Sequence, residues 1–175
     1  MEIISRKLAE NIKSIVPEHP ASVARLQYAL SFILNAVFII VGALLISAFS
    51  GRTGGVIAAL VSFAILRQAS GGIHLKSGTT CVIVSIGVAT ALSFTPDMSR
   101  EVLLAINLLN LALVLIFAPT DIEKQSRIPR RFYPLLKLIS AAIVCSNLLI
   151  GSSIIAVTLL VQCMTLILAK VVKNP

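Results

Sequence analysis

The chain is 175 residues long, 57% hydrophobic and only 13% charged, with a mean hydropathy of +0.99 and no tryptophan. Soluble domains carry about a quarter charged residues, so this composition excludes a soluble globular enzyme and points to one compact membrane domain. The net charge of +8 does not indicate a nucleic-acid partner, because the basic residues sit in short gaps between apolar runs, as membrane topology requires.

Residues 1–16, MEIISRKLAENIKSIV, place Ile4, Leu8, Ile12 and Ile15 near one helical face and Arg6, Lys7, Glu10 and Lys13 elsewhere. This spacing predicts an amphipathic helix lying on the membrane surface, ended at Val16-Pro17 because proline cannot continue it. Charges run from Glu2 to Arg25 with no short apolar core among them, so the segment does not read as a cleavable signal.

Uncharged runs then predict spans near 27–50, 53–67, 78–96 and 102–119. The final run, Leu138 to Ala169, is too long for one span of about 20 residues. Its GSS at Gly151 to Ser153 divides it into spans near 135–150 and 153–169. The second and fifth spans read as short for a bilayer about 30 Å thick. The expected fold is all-α: a single polytopic membrane domain of about six transmembrane helices, preceded by the amphipathic interfacial helix.

The charges test this division. With six spans, 13 of the 15 Lys and Arg residues fall on one side and two on the other. The positive-inside rule assigns the heavy side to the cytoplasm, with both termini. A polar segment, Arg67 to Cys81, RQASGGIHLKSGTTC, falls on that same side.

That segment holds the only candidate for covalent chemistry. His74 and Cys81 are seven residues apart, about 10.5 Å along a continuous helix, whereas a base must come within about 3 Å of its nucleophile. The backbone between them must bend, and Gly71, Gly72 and Gly78 supply the freedom to do so. Ser77 or Thr79 can cap the third span. Cys81 then lies in or near its first turn, where the helix dipole and a neighbouring imidazolium favour a thiolate. The spacing fits a Cys–His dyad at the membrane surface. It equally fits a polar helix cap beside an inert thiol. Cys145 and Cys163 lie inside apolar runs and read as small buried hydrophobes. With His19 and His74 as the only imidazoles and no Cys-x-x-Cys pair, no metal is expected.

The stretch RQASGGIHLKSGTTC resembles the signature of the accessory gene regulator B (AgrB) family, membrane peptidases of bacterial quorum sensing. In that pattern an Arg precedes Gly-Gly-x-His and a Cys follows the His at a spacing of seven; here these are Arg67, Gly71, Gly72, His74 and Cys81. The chain length, the several spans and a basic loop after Ala118-Pro119 match the family plan. Ala69-Ser70 departs from the aromatic and small pair the pattern carries. The resemblance implies a cysteine endopeptidase, without cofactor, acting on an AgrD-type propeptide with an amphipathic leader, a small core and an acidic tail. It implies that His74 activates Cys81, that the core becomes a thioester on Cys81, and that the core's own Cys or Ser closes a thiolactone or lactone.

Other roles stay open. Arg67 could bind a substrate carboxylate, organise the loop backbone or snorkel from a short span. Asp121 is the candidate to orient His74. Gln68 and helix N-terminal amides are candidate oxyanion donors. Arg130 and Arg131 anchor the chain by charge or also guide an acidic tail. Asn35, Asn107, Asn110, Asn147 and Gln162 read as interhelical hydrogen-bonding groups, and small-residue clusters such as GVATALS would permit a homodimer. A small transporter or peptide exporter and a non-enzymatic membrane scaffold are the competing functions.

Overall fold

The computed structural model describes residues 2–18, 20–73, 77–120, 122 and 128–173. His19, His74, Lys76, Asp121, Glu123, Lys124 and Arg127 lie outside the described residues. Among the described residues seven α-helices follow in order: α1 (Glu2–Ile15), α2 (Val23–Ser50), α3 (Thr53–Ser70), α4 (Gly78–Leu92), α5 (Arg100–Phe117), α6 (Tyr133–Ile150) and α7 (Ser153–Lys173). Among the described residues there is no strand, and the one extended pairing is an isolated bridge between Gly71 and Thr120. Five helices, α2, α3, α5, α6 with its preceding turn, and α7, are long and apolar enough to cross a membrane. The chain is thus an all-α polytopic membrane protein.

Local chemistry fixes the helix ends. Ser22 and Ser99 cap α2 and α5 by accepting from the amides of Arg25 and Val102. At the GSS turn, Gly151 adopts φ 69° and its amide donates to Asn147 O at 2.8 Å, closing α6 before α7 begins at Ser153.

The lengths of the spans differ from expectation. The sequence makes the second and fifth spans short, but α3 and α6 each reach 18 residues, and the short helix is the third, α4, with 15. The apolar run continues to Pro96, yet the helix stops at Leu92. Pro96 pushes Thr95 out of helical geometry, and the Ser93 hydroxyl turns back to bond Thr90 O at 2.6 Å.

Helix α7 is the most enclosed of the spans and α2 the least. Leu159, Cys163 and Leu166 of α7 meet Leu66 of α3, Val114 of α5 and Val144 of α6 in one buried cluster. The bundle's outward faces are apolar; Phe49 and Leu149 are each 93% exposed, a surface suited to hydrocarbon rather than water. Inside, amides are paired across helices. Asn147 Nδ2 donates to Asn107 Oδ1 at 3.1 Å, and Asn110 Nδ2 to Ala156 O at 2.9 Å.

Two close approaches set α4 parallel to α2. Gly78 lies against the Asn35 side chain, and Gly42 leaves room for Ile86. Helix α3 runs antiparallel beside them, Gly55 facing Ser93. Helix α1 folds back on α2 through its small residues: Ser5 and Ala9 are buried, and Ser31 Oγ donates to Ser5 Oγ at 2.8 Å. Of the large apolar residues of α1, only Ile12 is half-buried; the others do not face the protein. Ile3, Ile4, Leu8 and Ile15 are all exposed, available to lipid.

Candidate active site at the α3–α4 turn

Helix α3 continues three residues past the expected end at 67, because Ala69 and Ser70 are buried and the Ser70 hydroxyl bonds back to Leu66 O. Gly71 then stops it. Its amide donates to Arg67 O at 2.9 Å while the backbone turns to φ 77°, ψ −144°, and Gly72 follows at φ 127°. Both conformations are open to glycine and costly for other residues.

The chain beyond α5 pins this turn. After the cis Ala118–Pro119 peptide, Thr120 donates its amide to Ser70 O at 2.9 Å and accepts from the Gly72 amide at 3.0 Å. A Cβ on Gly71 would overlap the Thr120 carbonyl oxygen, and one on Gly72 would lie 2.6 Å from Thr165 Oγ1. Helix α7 closes the other flank. Gln162, fully buried, donates from Nε2 to Gly71 O at 2.7 Å and to Ser70 Oγ at 3.2 Å.

Arg67 lies over the Phe63 ring, its guanidinium carbon 5.7 Å from the centroid, and donates from Nη2 to Ile73 O. Of the roles open to it, organising the loop backbone is the one whose contact is present. The same guanidinium is within electrostatic reach of Cys81. Ser77, not Thr79, is the cap of α4: its hydroxyl accepts from Thr80 N at 3.5 Å and its carbonyl from Cys81 N at 3.0 Å. Cys81 is therefore in the first turn of α4, half-buried. Beside it an open depression of about 260 Å³ is lined by Ser77, Gly78 and Thr79 together with Glu2 and Ile3 of α1.

The other thiols are placed differently. Cys163 is buried in the α7 core, its sulfur 3.8 Å from Asn110 O. Cys145, expected to be buried, is only half-buried on α6. Gln68 is exposed on α3. Arg130 and Arg131 are exposed in a short 3-10 turn, Arg130–Phe132, ahead of α6, with Arg131 stacked on Phe132 at 4.8 Å. By connectivity this turn is at the same end of the bundle as Gly71. His74 and Asp121 lie outside the described residues; Ile73 and Ser77 are the described residues on either side of the segment that holds His74. The residues that sequence reasoning missed at this site are Thr120 and Thr165, and the particular partners of Gln162. A buried amide in an apolar helix signals some partner, but not which one.

The chain matches the sequence profile of the accessory gene regulator B family over residues 1–171. It is also 27% identical over 96 residues to an AgrB-like protein of Halalkalibacterium halodurans; that alignment spans 55% of this chain and 49% of that protein, about half the relative's length. No solved structure matches the chain.

Proposed function

Given that the chain belongs to the accessory gene regulator B family, we propose that it is a membrane cysteine endopeptidase with Cys81 as nucleophile and His74 as base. Family membership implies a membrane setting, a role in agr quorum sensing and an AgrD-type propeptide as partner. The observation that carries the finer reading is the placement of Cys81: first turn of α4, half-buried, within electrostatic reach of Arg67 and on the helix that follows the pinned Gly71-Gly72 turn.

In this reading His74 takes the Cys81 proton and the sulfur attacks the carbonyl joining core to tail. The C–N bond breaks, the tail departs as an amine that takes the proton from His74, and the core remains as a thioester on Cys81. The core's own thiol or hydroxyl then attacks that thioester and releases a cyclic thiolactone or lactone and the free Cys81. Exchange of thioester for thioester conserves most of the acyl-transfer energy, provided water is kept from the intermediate.

Replacing Cys81, Cys145 and Cys163 singly by Ala and co-expressing a precursor tests the assignment. Cys81→Ala abolishes release of the tail, and the other two variants process at the parental rate. Normal processing by Cys81→Ala overturns the reading.

A further inference from the structure

We infer that Gln162 of α7 is a positioning residue for the His74–Cys81 pair, acting through the Gly71-Gly72 turn; this rests on the peptidase reading. Gln162 is 0% exposed among apolar helices. An unpaired amide is unfavourable there, so what it bonds to is informative. Its Nε2 has two protons and two acceptors, Gly71 O at 2.7 Å and Ser70 Oγ at 3.2 Å. Its Oε1 lies 3.1 Å from the Thr165 hydroxyl, which is also 2.8 Å from Gln162 O. The reverse orientation of the amide would set Oε1 against the Gly71 carbonyl, two acceptors facing each other, so the turn itself selects the orientation.

Ordinary interhelical pairing would join Gln162 to the body of α3. Its stronger bond instead goes to Gly71, one residue past the helix end, where the chain has left helical geometry. The carbonyl it holds shares its peptide unit with the Gly72 amide, which donates to Thr120 O, and the preceding unit is fixed by the Gly71 amide on Arg67 O. Gly72 packs directly on the same α7 step, the place of its missing Cβ lying 3.3 Å from Gln162 Nε2 and 2.6 Å from Thr165 Oγ1. His74 is two residues farther on. The chain leading to His74 therefore starts from a peptide plane held by α7, 91 residues away in sequence.

The test uses the full-length protein with a precursor peptide and compares the parent, Gln162→Met, His74→Ala, the double variant and Cys81→Ala. Gln162→Met keeps length and removes the amide. It lowers kcat about tenfold or more while KM stays within about twofold, because misaimed groups slow chemistry without weakening substrate binding. Alkylation of Cys81 supplies the second readout: His74→Ala slows it in the parent background and has little further effect in Gln162→Met. Effects that multiply independently, or an unchanged kcat, overturn the proposal even though Cys81→Ala is inactive. Should Cys81→Ala process normally, the peptidase reading itself fails. If Gln162→Met does not fold, Thr165→Val carries the test. It leaves both acceptors of Nε2 in place but removes the hydroxyl that holds Oε1, and a several-fold fall in kcat at constant KM is expected; an unchanged kcat overturns the assignment.

Discussion

A methyl group at position 71 has nowhere to go. The backbone at Gly71 is at φ 77°, and the added carbon would fall on the Thr120 carbonyl oxygen, which is main chain and has no rotamer to escape into. Gly71→Ala therefore has to break the Gly71–Thr120 bridge, and it should cost about 3 kcal/mol or more of stability together with processing. Gly87, within α4, has nothing within 4 Å of its missing Cβ. Gly87→Ala should leave processing intact and raise stability by up to about 1 kcal/mol through helix propensity. Thermal unfolding of the two variants in one detergent compares them directly; equal melting temperatures would mean the bridge is dispensable. The need for a bend between Arg67 and Cys81 is legible in the sequence, since two adjacent glycines precede His74. What holds the bend is not. Thr120 and Gln162 are ordinary residues whose significance depends on a tertiary approach that no local pattern encodes.

Among the elements, helix existence and type follow closely from apolar run length, serine caps and glycine stops, because each acts within a few residues. The end of α4 shows the limit of that reasoning. Ser93, Phe94 and Thr95 carry no charge, so hydropathy extends the span to Pro96, while side-chain and proline geometry ends the helix at Leu92. Helix α1 shows a second limit. Its apolar periodicity is visible, but the stripe that seats it on α2 is made of Ser5 and Ala9, residues too small to register as a face. That contact gives a direct prediction. With Ser5 Oγ and Ser31 Oγ 2.8 Å apart, the double variant Ser5→Cys, Ser31→Cys should cross-link under mild oxidation, whereas Ser14→Cys with Ser31→Cys should not. A helix lying free on the bilayer would give equal, low yields for both pairs.

For the whole molecule, α7 gathers α3, α5 and α6 into one core, and the turn carrying the candidate site is clamped between it and the segment after α5. In the proposed topology, with 13 of the 15 basic residues on one side, this end of the bundle is the cytoplasmic one. Arg130 and Arg131 are exposed at the same end, and under the proposed function they guide an acidic tail. Reversing both to Glu should raise the apparent KM for the precursor several-fold with little change in kcat, and the difference should shrink with salt, as expected for contacts that act on encounter. Removing the acidic residues from the precursor should erase the difference between variant and parent. Labelling of an introduced Ser152→Cys from the external side checks orientation in the same preparation, since moved positive charge can invert a span. If orientation holds and both constants stay at parental values, the arginines are anchors alone.

The pairing of Gly78 with Asn35 also fixes a height. Asn35 stands twelve residues past Val23, so α2 begins about 18 Å before α4 does. Over that stretch α2 and the folded-back α1 form a two-helix parapet, and its edge at Glu2 and Ile3 borders the depression at the start of α4. A peptide arriving in three dimensions from the α1–α2 side would strike this parapet. One already lying flat in the lipid headgroups has lost two of its rotations and samples the open bearing by turning about a single axis. Selectivity for a lipid-bound substrate can thus arise before any side chain is read, as a restriction on the direction of arrival.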